Sequence, residues 1–190
     1  MGNDADRYRR YLDGDDDGLR EIIDIYYNGL TLYINGIVKD LTATEDILED
    51  TFVKLAVKKY IYKGDSSASF KTWIYTIARN LAYNYLKRYR SKLADQPFEE
   101  NDETIMLSDG TDVEKEYLQN EQRIELRRAM KKLNPDYYQV LYLTYFEDMD
   151  IENTAKIMGR TKKQISNLLY KAKISLRSIM EKAGFQYEDI

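Results

Sequence analysis

Apolar residues recur at steps of three and four along most of the chain, which is the spacing of amphipathic helices. The longest such stretch is residues 70–92, where the apolar positions form one stripe that we expect to face a core. Trp73, the only Trp in the chain, lies on this stripe, so we expect it to hold the preceding loop in place from the core. The stripe consists of Phe70, Trp73, Ile74, Ile77, Ala78, Leu81, Ala82, Tyr85, Leu86 and Tyr89.

The same spacing predicts an all-α fold. In the first half, Thr42 or Thr44 is expected to cap one helix and Ser69 another, while Gly29 and Gly36 weaken a helix without breaking it. Helices are predicted at 5–13, 15–37, 44–56, 70–92, 117–133, 136–146, 151–158 and from 162 onward. Residues 93–116 show no periodicity and carry many carboxylates, so they are predicted to be a flexible acidic linker. We therefore expect two small helical domains, 1–92 and 117–190.

The last two predicted helices have the pattern of a helix-turn-helix. A short helix with Asp150 as its cap is followed by Gly159-Arg160-Thr161 and then by a longer helix. In this motif the second helix enters the major groove, with its N-terminal residues at the base edges. An ordinary helical hairpin is the alternative. The residues expected to face outward from the second helix are Lys162, Lys163, Gln164, Ser166, Asn167, Tyr170 and Lys171.

Charge is segregated along the chain, although the net charge is only −4. Residues 1–50 carry 13 acidic and 5 basic side chains, whereas residues 54–92 carry 1 and 10. Residues 93–122 carry 10 acidic and 1 basic, and residues 156–182 carry 1 and 8. Screening over about 8 Å makes binding respond to local charge rather than to the sum. Two basic blocks suited to nucleic acid thus alternate with two acidic ones.

The absence of Cys and His from the sequence excludes most enzyme classes. Disulfides, thiolate nucleophiles, imidazole bases, the usual zinc sites and Ser-His triads are all ruled out. A magnesium-dependent nuclease is disfavoured, since the acidic clusters lack a glycine-rich phosphate loop. We therefore expect no catalytic activity, no catalytic or metal-binding residues and no cofactor. The acidic N-terminus is unlike a signal peptide and no apolar run approaches about 18 residues, so we expect a cytoplasmic protein without membrane insertion.

Two polar helix faces are candidates for binding partners. The polar side of 70–92 carries cations, amides and aromatic rings without a carboxylate; it is either a solvated face or a surface for a negatively charged, planar partner. The helix at 44–56 shows Glu45, Asp46, Glu49 and Asp50, which either compensate the helix dipole or form a docking patch for a basic partner. The polar positions of the first face are Lys71, Thr72, Tyr75, Arg79, Asn80, Tyr83, Asn84, Lys87, Arg88 and Arg90.

Three stretches resemble the extracytoplasmic function (ECF) sigma factors, the small two-domain initiation subunits of bacterial RNA polymerase. They are ATEDILEDTFVKL at 43–55, FKTWIYTIARNLAYNYL at 70–86 after the loop KGDS, and LNPDYYQVLYLTYFEDMDIENTAKIM at 133–158. They are similar to the family's core-binding helix, its promoter-melting loop and helix, and its helix-turn-helix. The resemblance covers nearly the whole chain.

The resemblance implies a function and roles for particular residues. The chain is expected to bind core RNA polymerase and to direct promoter recognition and opening, without chemistry of its own. Asp46, Glu49 and Asp50 match positions that bind the clamp coiled coil. The positions implied for the −10 element are Lys63, Ser66, Ser67, Ser69, Phe70, Lys71, Tyr75, Arg79, Asn80 and Lys87. Those implied for the −35 element are Lys162, Lys163, Gln164, Ser166, Asn167, Tyr170 and Lys171.

The partners implied are core RNA polymerase, through its clamp coiled coil and flap, and promoter DNA, with an anti-sigma factor as a further candidate. The chain departs from the family pattern at Glu49, where a Gln is usual, and in KQISNL at 163–168, where two usual basic residues are missing. Base preference at the upstream element therefore cannot be transferred from relatives. The alternative function is a helix-turn-helix regulator that binds DNA without stable polymerase binding.

Overall fold

The structure, a computed structural model, describes residues 4–57, 62, 68–92 and 123–184, with the side chains of 90–92 omitted. Every regular element in these residues is a helix, which confirms the all-α prediction. The elements are α1 (Asp4–Leu12), α2 (Asp16–Val38), α3 (Leu41–Ala56), α4 (Phe70–Lys92), α5 (123–131), α6 (Pro135–Leu141), a π-helical turn (Tyr142–Phe146), α7 (Ile151–Met158) and α8 (Lys162–Lys182). None of these helices has an apolar stretch long enough to cross a bilayer.

Side-chain caps fix where several helices begin. Ser69 and Asp150 cap α4 and α7 as predicted, by accepting from the backbone N–H groups of Thr72 and Asn153. The prediction that Thr42 or Thr44 caps α3 is wrong. The helix begins earlier, since Asp40 Oδ1 accepts from the Ala43 N–H at 2.8 Å. Thr44 already lies inside the helix, and its hydroxyl donates to the Asp40 carbonyl.

Aromatic rings form the centre of the α1–α4 core. The Trp73 ring packs against Tyr8 and Tyr62, with centroids 5.5 and 5.7 Å apart, and against Phe70. The Tyr62 hydroxyl donates to the Ala68 carbonyl at 2.9 Å, just before α4 begins. Trp73 therefore packs against the core, as predicted, while its hold on the preceding loop stays a prediction. The connection itself, 63–67, lies outside the described residues.

The helix-turn-helix consists of α7 and α8, packed against α6. Ile157 of α7 and Ile165 and Ala172 of α8 are fully buried in this packing. Gly159 ends α7 with φ of +62°, a left-handed conformation that glycine adopts without steric cost. An exposed ion pair between Glu152 of α7 and Lys162 joins the two helices at the start of α8.

The C-terminal helices pack directly on the N-terminal ones. Helix α6 lies against α2, and α7 lies against α4, so that one continuous set of buried residues includes both halves. Tyr33 of α2 and Tyr142 of the π-helical turn are both buried, with ring centroids 5.9 Å apart. Two separate domains were predicted from the sequence pattern, and this contact was not.

Candidate nucleic-acid and polymerase interfaces

The seven residues of α8 predicted to face the −35 element are all exposed. They lie on the first three turns, beginning immediately after the turn of the helix-turn-helix. The start of α8 is held by a capping box: the Thr161 hydroxyl accepts from the Gln164 N–H, and the Gln164 side chain accepts from the Thr161 N–H. Gln164 therefore has a structural role in the free protein. Its spacing from Thr161 is the sequence signature of such a box, which the sequence analysis missed.

Lys162 is engaged within the motif. Its ammonium lies 2.5 Å from Glu152 Oε2, and Lys156 binds the other oxygen of the same carboxylate at 3.0 Å. The hydrogen bond from Lys162 is the largest cause that lowers the pKa of Glu152 to about 2. To bind a phosphate, Lys162 must therefore exchange one anionic partner for another.

The exposed face of α3 contains the three predicted polymerase-binding carboxylates. Asp46, Glu49 and Asp50 are exposed on successive turns. The face continues into Val53 and Val57, whose residues are 45 % and 63 % exposed. The sequence analysis did not include these two valines, although their positions seven and eleven residues after Asp46 place them on the same helix face. The result is an acidic surface with an apolar end.

The polar face of α4 is only partly accessible. Asn80 and Lys87 are exposed, whereas Lys71 and Arg79 are half-buried. Ser69 is exposed, and its hydroxyl caps α4. Lys63, Ser66 and Ser67, which were predicted to contact the −10 element, lie outside the described residues.

Phe70 and Tyr75 are not on the surface, contrary to the expectation that they are accessible for DNA contact. Phe70 is 3 % exposed because it packs in the aromatic cluster with Tyr8 and Tyr26. Tyr75 is 1 % exposed, and its ring meets Tyr26 and Tyr33 edge-on. Burial is the main cause that raises the pKa of Tyr75, with the Glu147 carboxylate adding to it.

A hydrogen-bonded network joins the middle of α4 to α6 through Gln139, which is completely buried. Its side-chain oxygen accepts from Arg79 Nε at 3.0 Å and from the Tyr33 hydroxyl at 3.1 Å. Its amide nitrogen donates to the Tyr83 hydroxyl at 2.9 Å, and that hydroxyl donates to Asp136 Oδ1 at 3.1 Å. A buried amide requires such partners, because an unpaired one is costly. Gln139 was not among the residues predicted from the sequence to have a role.

Two further contacts join the start of α4 to the C-terminal helices. The Lys71 ammonium lies 2.8 Å from Glu147 Oε2 and donates to the Glu147 carbonyl at 2.7 Å. The Thr72 hydroxyl donates to Asn153 Oδ1 of α7 at 2.9 Å. The Glu147 side chain is only 13 % exposed, so this ion pair is partly shielded from water. Lys71 and Arg79, two cations predicted to bind DNA, thus have protein partners in this structure.

Comparisons with known proteins agree with the architecture. Residues 22–92 match the model of Sigma-70 region 2 and residues 123–176 match that of Sigma-70 region 4, together 125 of the 190 residues. The chain is 27 % identical over 168 residues to the RNA polymerase sigma factor YlaC of Bacillus subtilis (strain 168), covering 88 % of this chain and 94 % of the relative. It is 23 % identical over 159 residues to the ECF RNA polymerase sigma factor SigM of the same strain, covering 84 % and 93 %.

Two solved structures share the fold. The sigma factor RpoE in complex with the anti-sigma factor NepR from Bartonella quintana has a TM-score of 0.69 at 18 % identity, covering 85 % of this chain and 96 % of that chain. CnrH in complex with the cytosolic domain of CnrY has a TM-score of 0.64 at 16 % identity, covering 94 % and 97 %. With a region 2 match followed by a region 4 match and relatives of this kind along most of its length, the chain belongs to the ECF sigma factors of the sigma-70 family.

Proposed function

We propose that this protein is a transcription initiation factor that binds core RNA polymerase and directs it to recognise and open promoters. The observation that carries the proposal is the succession of a region 2 match and a region 4 match in one chain. The segregated charge supports it, since each basic block includes one candidate DNA-binding helix. The block at 54–92 includes α4, and the block at 156–182 includes α8. The rival function, a DNA-binding regulator that acts without polymerase, gives no role to region 2 and is not favoured.

In this proposal residues 1–92 form the domain that binds polymerase and the −10 element, and residues 117–190 form the domain that binds the −35 element. The acidic segment 93–116 connects them. Asp46, Glu49 and Asp50 bind the clamp coiled coil, and C-terminal contacts reach the flap. An anti-sigma protein is a further candidate partner, as NepR is for the RpoE of the comparison. The protein would act in the cytoplasm, where bacterial RNA polymerase transcribes.

The two DNA contacts would contribute differently. The exposed start of α8 suits direct readout of a duplex, because Gln and Asn side chains pair with adenine edges while Lys pairs with guanine or phosphate. The α4 helix and its preceding loop would hold a separated strand, which requires a base to leave the stack at a cost of a few kcal/mol. The protein performs no chemistry itself; it supplies the binding energy that offsets strand separation.

Reconstitution with core polymerase on a promoter library tests this function directly. We expect enrichment of promoters that share a −10 and a −35 element, and run-off transcription that depends on the protein. Transcription equal to that of core polymerase alone would overturn the proposal. Tight duplex binding without polymerase association would instead support the rival regulator.

Two variants separate polymerase binding from promoter opening. Asn80→Ala removes an exposed amide from α4, so we expect promoter opening to be lost while polymerase association is retained. The double substitution Asp46→Lys and Asp50→Lys reverses the charge of the α3 face, so we expect core polymerase to be lost in a pull-down. Normal transcription by Asn80→Ala would contradict its role at the −10 element. Retained association of the double variant would leave the α3 carboxylates only a helix-dipole role.

A further inference from the structure

The seven candidate −35 residues of α8 point in different directions. An α-helix turns by about 100° per residue, so the direction in which each side chain leaves α8 follows from its number. Ile165 and Ala172 are completely buried, which fixes the side of α8 that faces the C-terminal core. Lys163, Asn167 and Tyr170 are four and three residues apart, and they lie on the opposite side. These three residues, which we call the outer strip, project directly away from the protein.

Three of the other four candidates are already engaged by the protein. Gln164 completes the capping box with Thr161 at the start of α8. The Ser166 hydroxyl donates to the Lys162 carbonyl at 3.1 Å, within the helix. The Lys162 ammonium is paired with Glu152. Each of these side chains would have to give up a contact before it bound a base.

The outer strip has no such competition. Within the part of the chain that the structure describes, the side chains of Lys163, Asn167 and Tyr170 form no hydrogen bond or ion pair, and Tyr170 is 68 % exposed. Lys171 is also exposed, but it leaves the helix about 80° round from Lys163, at the flank of the strip. A partner can therefore bind the outer strip without displacing any part of the described protein.

Each side chain of the outer strip fits one kind of base edge in the major groove. An Asn amide forms two hydrogen bonds with N6 and N7 of adenine, and a Lys ammonium donates to O6 and N7 of guanine. The ring of a Tyr presents apolar surface, which suits the methyl group of thymine. Phosphate contacts carry no sequence information, and the flanking Lys171 is placed for one of those.

The length of the outer strip determines how many base pairs it reaches. A helix rises about 1.5 Å per residue, so Lys163 and Tyr170 are about 10.5 Å apart along the axis. At about 3.4 Å per base pair this distance is about three steps of a duplex. Asn167 lies between them, about two steps from Lys163 and about one step from Tyr170. For a helix that follows the major groove, the three contacts fall on neighbouring base pairs.

We propose that Lys163, Asn167 and Tyr170 are the residues that read the bases of the −35 element, and that their targets are guanine, adenine and thymine respectively. This inference rests on the proposed function, because it takes α8 as the helix that enters the promoter duplex. The element then contains an A·T pair opposite Asn167, a thymine about one step to one side and a guanine about two steps to the other. The remaining candidates of α8 shape the motif or bind phosphate.

Selection from a promoter library with a fixed −10 element and a randomised −35 segment tests this inference. The protein is reconstituted with core RNA polymerase, and the bases at each position of the transcribed promoters are counted. Asn167→Ala should remove the A·T preference at one position only and weaken duplex binding by roughly 5-fold to 150-fold. Tyr170→Ala should remove only the thymine preference, whereas Tyr170→Phe should keep it because the ring remains. Lys163→Met should remove only the guanine preference.

Ser166→Ala is the matched control, because Ser166 is exposed next to Asn167 while its hydroxyl is bonded within the helix. It should leave every base preference unchanged. An unchanged A·T preference in Asn167→Ala, or the same loss in Ser166→Ala, would overturn the assignment of adenine. Loss of the thymine preference in Tyr170→Phe would overturn the role of the ring. A uniform loss of affinity in Lys163→Met, with its base preference intact, would make Lys163 a phosphate contact.

Failure of the proposed function gives a different result. In that case no promoter of the library would be transcribed in a manner that depends on the protein. Selection of the same randomised duplexes by binding to the protein alone would then still decide which residues of α8 read bases, since it requires no polymerase.

Discussion

The two candidate DNA-binding faces differ in whether the protein itself occupies them. All seven candidate residues of α8 are exposed, whereas Lys71 and Arg79 of α4 are bonded to the C-terminal helices and Tyr75 is buried. The α8 face suits an intact duplex, and the α4 face suits a separated strand. Under the proposed function, the face suited to duplex promoter DNA is therefore exposed in this structure, whereas the face suited to a melted strand is partly occupied by the protein itself.

Separating the C-terminal helices from α2 and α4 would require free energy, because residues between them are buried. Separation would expose Gln139 and Tyr33, which are completely buried and satisfy each other's hydrogen bonds. Water can replace those bonds, so the net loss per bond is about 1 kcal/mol. The buried rings cost more, because their apolar surface is returned to water. Separating the C-terminal helices from α2 and α4 would therefore cost several kcal/mol.

Locking the two halves together should produce the largest effect. In the double variant Thr72→Cys and Asn153→Cys the thiols stand on two residues whose side chains meet, with Thr72 Oγ1 2.9 Å from Asn153 Oδ1, and the chain has no other Cys. After oxidation we expect promoter opening to be abolished and duplex binding through α8 to be nearly unchanged. Reductant should restore opening, which is measured by run-off transcription.

Each single-cysteine variant is the control for the lock. Neither can form the intramolecular bond, so both should respond little to oxidant. Full promoter opening by the oxidised double variant, with the disulfide verified by mass spectrometry, would mean that opening does not require α4 and α7 to separate.

Removing a base contact from α8 should have the next largest effect. Asn167→Ala is expected to weaken binding to the −35 duplex by about 1–3 kcal/mol, the usual cost of losing a specific base contact. The fold and its stability should not change, because Asn167 is exposed on the far side of α8 from the buried Ile165 and Ala172. Affinity measured by fluorescence anisotropy checks the first expectation.

Lys182→Ala, near the end of α8, is the control for position on the helix. Lys182 is exposed but lies outside the N-terminal turns, so its loss should change duplex affinity much less. If both substitutions weaken binding equally, α8 contributes only general charge and not base recognition.

The α8 face was predictable from the sequence because its environment is simple. Apolar residues at helical spacing mark the buried side, as Ile165 and Ala172 show, and the other side remains in water. The helices and several caps follow from the same local rules. Asp40 was missed as the cap of α3 because Thr42 and Thr44 are also suitable cap residues, and only the backbone geometry decides among them.

The α4 face was not predictable in the same way, because polar residues can be buried by distant partners. Arg79 satisfies the expectation for a surface residue, yet its partner Gln139 lies 60 residues away. Two signals in the sequence did point to the contact. Glycines at 29 and 36 leave two positions on one face of α2 without side chains, and tyrosines at 138 and 142 place two large rings on one face of α6 and the π-helical turn after it.

Neutralising the ion pair at the start of α4 should have a moderate effect. Glu147→Gln leaves Lys71 without its charged partner, so we expect the free energy of unfolding to fall by about 1–2 kcal/mol, a value between those of exposed and buried pairs. Denaturant unfolding measures this loss, and because the pair is partly shielded from water, added salt should change the parent protein less than the substitution does.

Glu181→Gln is the control for loss of a carboxylate. Glu181 pairs with Arg177 on the exposed part of α8, at 2.8 Å, and does not lie between the two halves. It should change the free energy of unfolding little, because exposed pairs contribute little. A Glu147→Gln variant as stable as this control would mean that the contact between the two halves rests on shape and neutral hydrogen bonds.

The smallest effect is expected at Lys162, the residue of the exposed α8 face that pairs with Glu152. Glu152 binds Lys162, and the pKa of Glu152 is lowered to about 2. The contribution of this pair to stability is therefore complete above about pH 4.5 and is lost as the pH falls through about 2. At neutral pH Lys162 must therefore release Glu152 before it binds a phosphate. Glu152→Gln frees Lys162 and also removes a negative charge near the duplex. We expect a small gain in duplex affinity, and a slope of log affinity against log salt that is steeper by up to about 0.9.

A double-mutant cycle with Lys162→Met tests whether this gain belongs to the pair. Without the ammonium, Glu152→Gln should change the salt slope little, because no additional phosphate contact can form. A gain of the same size in the Lys162→Met background would assign the effect to general repulsion by Glu152 and would remove Lys162 from the DNA contacts. Lys162 and Lys71 would then share one property under the proposed function, since each would exchange a carboxylate of the protein for a phosphate of DNA.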